Sequence, residues 1–207
     1  MKIELKNIGK KFSNEWIFKN LSFEFASGKK YAVTGFNGSG KSTLIQVAAG
    51  LIPCNLGEVI YIEDGVVIPS DEIYKKLFIT APYIDLVEEF SLSEALDFHT
   101  KFKPFKEGIS KEKFLELVYM KQETAKTIKQ FSSGMKQRLK LGLAFFSQSN
   151  ALFLDEPTTN LDEQGIQWYL DKVSNLESSK LVIISSNDKR EYNFCDQTLN
   201  INDFKVS

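Results

Sequence analysis

Hydrophobic and polar residues alternate over the first part of the chain, which is the pattern of half-buried β-strands. Leu21, Phe23 and Phe25, for example, are separated by polar or small residues. A short apolar run at 31–33 follows a Ser-Gly turn. These patterns predict strands over residues 1–34.

A glycine-rich loop follows the apolar run, and residues 42–51 after it are predicted to form a helix. Pro53, just beyond that helix, cannot continue it. Residues 57–68 contain two apolar runs around an Asp-Gly dipeptide, which is typical of a hairpin turn. The apolar run at 77–79 predicts one more strand.

From about residue 86 to residue 148 the apolar positions recur at helical spacing. Ser91 and Glu94 have the spacing of a capping box at the start of a helix. Ser132 or Ser133 is expected to cap a long helix that ends near residue 146. This part of the chain is therefore predicted to be mainly helical.

Strands and helices alternate after residue 150, where apolar runs at 151–154 and 181–184 flank a helical pattern over 163–176. Such alternation predicts a mostly parallel sheet flanked by helices. We predict one α/β domain over residues 1–207. Its core, about 1–83 and 150–207, includes an antiparallel β subdomain, and a helical subdomain, about 84–149, is inserted into it.

The composition is that of a folded, soluble chain of 207 residues, with 43% hydrophobic and 26% charged residues. The net charge of −1 gives no general attraction to nucleic acid or to an anionic membrane surface. No apolar stretch reaches the roughly 18 residues of a spanning helix. The only two cysteines, Cys54 and Cys195, indicate a reducing compartment. We therefore expect a cytoplasmic protein.

The glycine-rich loop fits the pattern G-x-x-x-x-G-K-[ST] in full and stands between a strand and a helix. In such a loop, backbone N–H groups and the helix N-terminus bind phosphate. Lys41 can bridge the β- and γ-phosphates, and the Ser42 hydroxyl can ligate Mg²⁺. The predicted nucleotide-binding residues here are Gly35, Phe36, Asn37, Gly38, Ser39, Gly40, Lys41, Ser42 and Thr43.

Two adjacent carboxylates, Asp155 and Glu156, follow the apolar run at 151–154. Acidic residues often end strands where the chain meets water, so the pair alone is a weak signal. Together with a phosphate-binding loop it gains meaning. Asp155 is then expected to hold Mg²⁺, and Glu156 to act as general base on the attacking water.

Together with the segment 131–139, these motifs resemble those of the ATP-binding cassette (ABC) ATPases. That segment begins Phe-Ser-Ser-Gly-Met and resembles the family's signature, usually Leu-Ser-Gly-Gly-Gln. Ser132 and Gly134 match the signature, whereas its first, third and fifth positions depart from it. The spacing of 23 residues between Ser132 and Asp155 (155 − 132) makes the resemblance more specific.

The resemblance extends from about Ile3 to Val206, and residues 159–162 resemble the family's D-loop. It implies that two cassettes meet head to tail and enclose two ATP molecules. Ser132 and the N–H of Gly134 would then contact the γ-phosphate that is bound by the facing subunit.

An aromatic side chain stacks on adenine in this family, and the resemblance assigns that role to Phe12. Stacking of this kind contributes roughly 1–3 kcal/mol. Trp16 is the alternative, and an ordinary core position is as good an explanation for Phe12.

The sequence departs from the family at two positions. Asn187 stands where the family has a histidine that contacts the γ-phosphate; the only histidine, His99, lies upstream of the signature and is expected to be an ordinary helix-surface residue. Pro82 or Tyr83 stands where the family has a glutamine near Mg²⁺ and the membrane partner. We therefore expect a slow ATPase rather than an inactive one. Its predicted catalytic residues are Glu156, Lys41 and Asn187.

These features predict the ATP-binding and ATP-hydrolysing subunit of an ABC transporter, with ATP and Mg²⁺ as cofactors. Such a subunit would bind separate membrane-spanning subunits on the inner face of the cell membrane, through a surface near residues 83–98. It would pair with itself or with another cassette. The alternatives are a non-transport ABC ATPase and a slow, mainly regulatory cassette. The chain has neither the second cassette of translation factors nor the coiled-coil insertion of DNA-repair types, so no nucleic-acid partner is expected.

Overall fold

The computed structural model describes residues 1–205, so that Val206, where the resemblance was expected to end, lies outside the described residues. In chain order the strands are β1 (Lys2–Phe12), β2 (Glu15–Ala26), β3 (Lys30–Thr34), β4 (Leu56–Glu63), β5 (Val66–Ile68), β6 (Leu77–Thr80), β7 (Ala151–Asp155), β8 (Leu181–Ser185) and β9 (Gln197–Asn200). The α-helices are α1 (Lys41–Ala48), α2 (Leu92–Phe102), α3 (Lys111–Leu117), α4 (Ser133–Phe146) and α5 (Glu163–Ser174).

The chain divides into two compact units. The first unit contains Met1–Ile79, Ser149–Glu156 and the chain from Glu177 onward, and the second contains Thr80–Gln148 and Pro157–Leu176. The sequence-based division assigned 157–176 to the α/β core, whereas α5 in this segment packs against α4 in the structure. The domain boundaries given above stay a prediction.

The first unit contains a five-stranded sheet in the order β6-β7-β8-β3-β9. The pairs β7–β8, β8–β3 and β3–β9 are parallel. Every residue of β7 and of β8 is buried, as expected where both faces of a parallel sheet are covered. The predicted α/β class is confirmed, and the carboxyl ends of these strands form one edge.

A separate four-stranded antiparallel sheet in the first unit has the order β2-β1-β4-β5. The turn between β4 and β5 has positive φ at both Asp64 (51°) and Gly65 (80°), which is the geometry of a type I′ hairpin. The predicted hairpin at 57–68 is therefore confirmed. Phe25 of β2 packs edge-on against Tyr31, with ring centroids 5.0 Å apart, so part of the aromatic content lies in this core.

Side-chain caps begin the helices of the second unit. The Ser91 N–H donates to Glu94 Oε2 at 2.8 Å, and Ser91 Oγ accepts from the Glu94 N–H at 3.3 Å, which confirms the predicted capping box. Ser132 rather than Ser133 caps α4, because its Oγ accepts from the Met135 N–H at 3.2 Å. Within residues 1–205, no helix has the length and apolar character needed to cross a membrane.

The expectation that His99 is an ordinary surface residue is wrong. Its ring is half-buried in α2 and lines a cavity of the second unit. Nε2 lies 2.7 Å from Ser147 Oγ, and the ring lies 6.1 Å from that of Phe105. Burial and the charge of Lys103 lower the pKa of His99 to about 4. His99 lies on the inward-facing side of an amphipathic helix, and the presence of one histidine in the sequence does not show on which side of the helix it lies.

Candidate active site

The loop between β3 and α1 requires glycine at two positions. Gly35 has a φ of +151°, and a Cβ there would lie 2.6 Å from Ser39 Oγ. Gly40 has a φ of +100°, and its Cβ would lie 2.2 Å from Cγ2 of Ile17, far inside the normal carbon–carbon separation. Glycine therefore lets the backbone fold closely over the start of α1, as a phosphate-binding loop must.

Lys41, the first residue of α1, folds its side chain back along this loop. Nζ donates to the main-chain oxygens of Gly35 at 3.0 Å and Phe36 at 3.2 Å, and the residue is only 5% exposed. A buried ammonium needs partners, and two carbonyl oxygens supply them without neutralising its charge. That charge remains available to phosphate oxygens.

The carboxyl ends of β7, β8 and β3 lie side by side next to the loop. Asp155 pairs with Ser185 in the parallel ladder, and Ser185 pairs with Val33. Asp155 and Ser185 are both buried, and among the described residues Ser185 Oγ has no hydrogen-bond partner. A buried hydroxyl of this kind marks a polar position that water or a ligand can complete.

Glu156 leaves the sheet in a left-handed backbone conformation, with a φ of +45°. Its N–H donates to the Ser185 carbonyl at 2.8 Å. This conformation costs roughly 1 kcal/mol or more for a residue that carries a Cβ. Because β8 fixes the Glu156 backbone, the strain is maintained at the edge where catalysis was predicted.

Asn187 lies two residues beyond the end of β8. Its Nδ2 donates to Oδ1 of Asn37 in the phosphate-binding loop. The main chain before it is held as well, because the Ser186 N–H donates to the Val33 carbonyl at 3.3 Å. The residue expected in place of the family's histidine thus contacts the loop directly.

The two aromatic candidates for adenine stacking lie at either side of the β1–β2 turn. Phe12 is 51% exposed, and Lys10 Nζ lies 5.1 Å from its ring centroid. The ammonium groups of Lys11 and Lys19 both lie near the Trp16 ring, at 5.4 and 5.1 Å. Lysine ammonium groups thus lie near both rings, but Phe12 is more exposed than Trp16 and is not a core residue. The assignment of adenine stacking to Phe12 stays a prediction.

The donor set at the sheet edge fits a magnesium ion. Mg²⁺ prefers oxygen ligands and is held by one or two protein groups together with waters and phosphate oxygens. Ser42 supplies a half-buried hydroxyl at the start of α1, and Asp155 supplies a buried carboxylate. Beside Asp155, the buried Ser185 hydroxyl has no hydrogen-bond partner among the described residues. Water or a polar ligand can therefore still bind at this point.

The predicted signature residues, Ser132 and Gly134, belong to the second unit, at the start of α4. A Cβ on Gly134 would lie 3.0 Å from the carbonyl oxygen of Asn160, so glycine lets the 157–162 segment approach the helix. The buried Gln137 of α4 donates from Nε2 to the Pro157 carbonyl at 2.6 Å. Within one chain, this hydrogen bond and this close approach link α4, which begins at the predicted signature, to the segment that resembles the D-loop.

The first unit brings together most of the predicted site: Phe12, residues 35–43, Asp155, Glu156 and Asn187. Sequence reasoning did not identify Ser185 or Gln137. The signal for Ser185 was its place as the first polar residue after the wholly apolar run at 181–184, two residues before Asn187. Gln137 gave no signal, because a polar residue near a helix start is usually solvated.

A phosphate-binding loop and an acidic strand end at the carboxyl edge of a parallel sheet define a P-loop nucleotide triphosphatase. Within that class, the chain belongs to the ABC transporter family, whose model matches residues 18–159. The match includes the loop, the signature segment and the acidic strand end.

Curated relatives are ATP-binding proteins of this family. The chain is 31% identical over 202 residues to the linearmycin resistance ATP-binding protein LnrL of Bacillus subtilis, covering 94% of this chain and 64% of LnrL. It is 29% identical over 189 residues to the lantibiotic transport ATP-binding protein SrtF of Streptococcus pyogenes, covering 89% of this chain and 79% of SrtF. The chain thus spans less than two thirds of LnrL.

Solved structures share the fold. One is the ATP-binding cassette MJ0796 as a post-hydrolysis dimer with ADP and Pi, with a TM-score of 0.82, 23% identity and coverage of 99% and 96% of the two chains. Another is an ATP-binding subunit of an ABC transporter, with a TM-score of 0.83, 21% identity and coverage of 100% and 88%. At such identities the likeness shows the fold.

Proposed function

We propose that this chain is the ATP-hydrolysing subunit of an ABC transporter, which binds ATP with Mg²⁺ and acts on separate membrane-spanning subunits from the cytoplasmic face. The observation that carries the proposal lies at one sheet edge, where the loop with Lys41 adjoins the buried strand end at Asp155 and Glu156. Membership of the ABC transporter family supports ATP as the nucleotide.

Nucleotide binding uses groups that are already in position. The loop N–H groups and the N-terminus of α1 receive the phosphates. Lys41 exchanges its carbonyl partners for phosphate oxygens, which are stronger acceptors for a cation. Ser42 and Asp155 would hold Mg²⁺, which supplies positive charge against the β- and γ-phosphate oxygens.

Hydrolysis requires a base and donors aligned with the γ-phosphate. Glu156 accepts the proton of the attacking water. The Asn187 amide donates a hydrogen bond to the γ-phosphate, in place of its bond to Asn37. A neutral amide stabilises developing negative charge less than a charged donor does, so we expect slow turnover. The loss of one hydrogen-bond donor to the transition state can lower the rate by about 10²–10³.

Dimerisation completes the site. Ser132 and the N–H of Gly134 contact the γ-phosphate of the facing subunit, at the N-terminal end of α4 where anions are favoured. MJ0796, which shares the fold, forms a dimer with ADP and Pi. The facing subunit is a second copy of this chain or a related cassette.

The membrane partner docks on the second unit, within the predicted surface at 83–98. A cavity of about 350 Å³ opens there between residues 85–87, α2 and α4. Its lining is mainly apolar, and two lining phenylalanines, Phe98 and Phe102, are 47% and 74% exposed. Exposed aromatics around an apolar cavity favour a protein partner that inserts an apolar side chain.

The function is tested with the Glu156→Gln variant. The variant should bind ATP–Mg²⁺ normally, hydrolyse it at least about 100-fold more slowly, and elute as a dimer in sizing chromatography with ATP. Lys41→Ala is the matched control, since it should lose ATP affinity and stay monomeric. A Glu156→Gln protein that hydrolyses ATP normally and never dimerises would overturn the assignment.

A further inference from the structure

A buried lysine near the end of β1 contacts the Phe12 ring. Lys10 is only 8% exposed, and its Nζ donates to the Pro53 carbonyl at 2.7 Å. The same Nζ lies 5.1 Å from the centroid of the Phe12 ring, which is within the range of a cation–π contact. One ammonium therefore joins the chain that follows α1 to the aromatic side chain for which adenine stacking is predicted.

Three hydrogen bonds attach residues 53–55, which connect α1 to β4, to the end of β1. Besides the bond from Lys10, the Asn55 N–H donates to the Gly9 carbonyl at 2.7 Å, and Asn55 Oδ1 accepts from the Lys11 N–H at 2.9 Å. The carbonyl that receives the ammonium thus belongs to a segment that main-chain groups hold in place. This arrangement fixes the position of the ammonium beside the Phe12 ring.

Burial strengthens the contact between Lys10 and Phe12. Cation–π attraction increases when the cation is removed from water, and the Lys10 side chain is almost fully enclosed, whereas Phe12 is half exposed. The ammonium therefore covers part of the ring and leaves another part open to a flat ligand. Without the ammonium, a half-exposed phenyl ring has several rotamers available, and ordering such a side chain on binding lowers affinity.

The Trp16 ring provides a comparison within the same sheet. Lys19 Nζ lies 5.1 Å from the centroid of that ring, the same distance as that between the Lys10 ammonium and Phe12. Lys19 is only half-buried, however, and cation–π contacts at exposed sites are weaker. The two lysines thus form a matched pair, with equal distances to an aromatic ring but different burial.

We propose that Lys10 is a positioning residue that holds the Phe12 ring ready to stack on the base of the bound nucleotide. The inference rests on the proposed function and on the predicted role of Phe12, and it adds the group that orients the ring. Because stacking on the base is the same in the ground state and the transition state, Lys10 should act on nucleotide affinity and KM rather than on kcat.

The test measures the affinity for ADP with Mg²⁺ by calorimetric titration, since ADP carries the same base and is not hydrolysed. Lys10→Met keeps the apolar stem but not the charge, and it should raise the Kd about fivefold. Lys10→Gln takes its place if the methionine variant does not fold. Lys10→Arg, which keeps a cation, should recover at least part of the affinity. In steady-state ATP hydrolysis, Lys10→Met should raise KM and change kcat less than about twofold.

A double-mutant cycle separates positioning of the ring from a general structural role. In a Phe12→Ala background, the further change Lys10→Met should alter the Kd less than about twofold, because the ring on which the ammonium acts is gone. Lys19→Met is the matched control and should bind ADP like the parent chain. A lysine that merely stabilises the sheet would lower affinity by the same factor with and without Phe12.

Several results would contradict the inference. They are a Lys10→Met or Lys10→Gln protein that binds ADP as the parent does, an equal loss of affinity in the presence and absence of Phe12, and a Lys19→Met protein that loses as much affinity as Lys10→Met. A Phe12→Ala protein with unchanged ADP affinity would remove the stacking role and this inference with it, while ATP hydrolysis by the parent would leave the proposed function intact. A parent chain that binds neither ADP nor ATP would overturn that function itself.

Discussion

The Asn187 amide donates a hydrogen bond to the side-chain oxygen of Asn37, and so joins the segment after β8 to the phosphate-binding loop. An alanine at 187 would remove this donor without changing the strands. An imidazole would be longer and could carry a charge. Position 187 therefore offers a direct measure of how much the missing histidine limits turnover.

We expect Asn187→His to raise kcat and Asn187→Ala to lower it, each with a smaller effect on ATP affinity. The contact matters most as negative charge develops in the transition state, so it acts on kcat more than on binding. Steady-state hydrolysis at matched dimer occupancy gives both constants. Equal rates for the parent and both variants would show that Asn187 does not act on the γ-phosphate.

Local patterns predicted the elements well wherever one side-chain interaction decided the outcome. The capping box of Ser91 and Glu94 formed as expected, and the Asp-Gly hairpin also formed. The helix predicted over 42–51 ends at Ala48 instead, because Gly50 adopts a left-handed φ of 75° that stops it. Helix ends depend on backbone geometry that apolar periodicity does not contain.

The sequence predicted the motifs of the candidate site but not the contacts that support them. The glycine loop and the acidic pair are short local patterns with known chemistry. The contacts of Ser185, Gln137 and Lys140 join positions that lie far apart in sequence, such as Lys140 and Ala81. A lysine in a helix is usually solvated, so the sequence does not indicate a contact such as that of Lys140 with Ala81, which exists only when both segments are folded.

The backbone at Glu156 should be strained, and glycine should relieve that strain. Both Glu156→Gly and Glu156→Ala remove the carboxylate, but only glycine adopts a φ of +45° at no steric cost. We expect the glycine variant to have a free energy of unfolding about 1 kcal/mol above that of the alanine variant. Urea denaturation without nucleotide measures both. An alanine variant of equal or greater stability would show an unstrained turn.

The half-buried imidazole of His99 should make the free energy of unfolding depend on pH. Its pKa is about 4 in the fold because of burial and the charge of Lys103, and about 6.5 when unfolded. The unfolded chain therefore binds more protons between these values, so that the stability is fully present above pH 6.5 and is lost as the pH falls toward 4.

His99→Gln isolates this effect, since an amide can keep a hydrogen bond to Ser147 but does not titrate. We expect the parent to lose roughly 1 kcal/mol relative to this variant between pH 6.5 and pH 5, allowing for the exposed part of the ring. Denaturation at a series of pH values measures the difference. Parallel pH profiles for the two proteins would show that His99 is solvated in the folded chain.

Adenine stacking should depend on Phe12 rather than on Trp16. Lysine ammonium groups lie near both rings, but Phe12 is half exposed whereas Trp16 is partly buried. Phe12→Ala should weaken ATP binding by about 1–3 kcal/mol, and Phe12→Tyr should restore it because a phenol ring also stacks. Trp16→Ala should change ATP affinity little. Calorimetric titration with ATP measures all three variants, and a larger loss of affinity in Trp16→Ala than in Phe12→Ala would reverse the assignment.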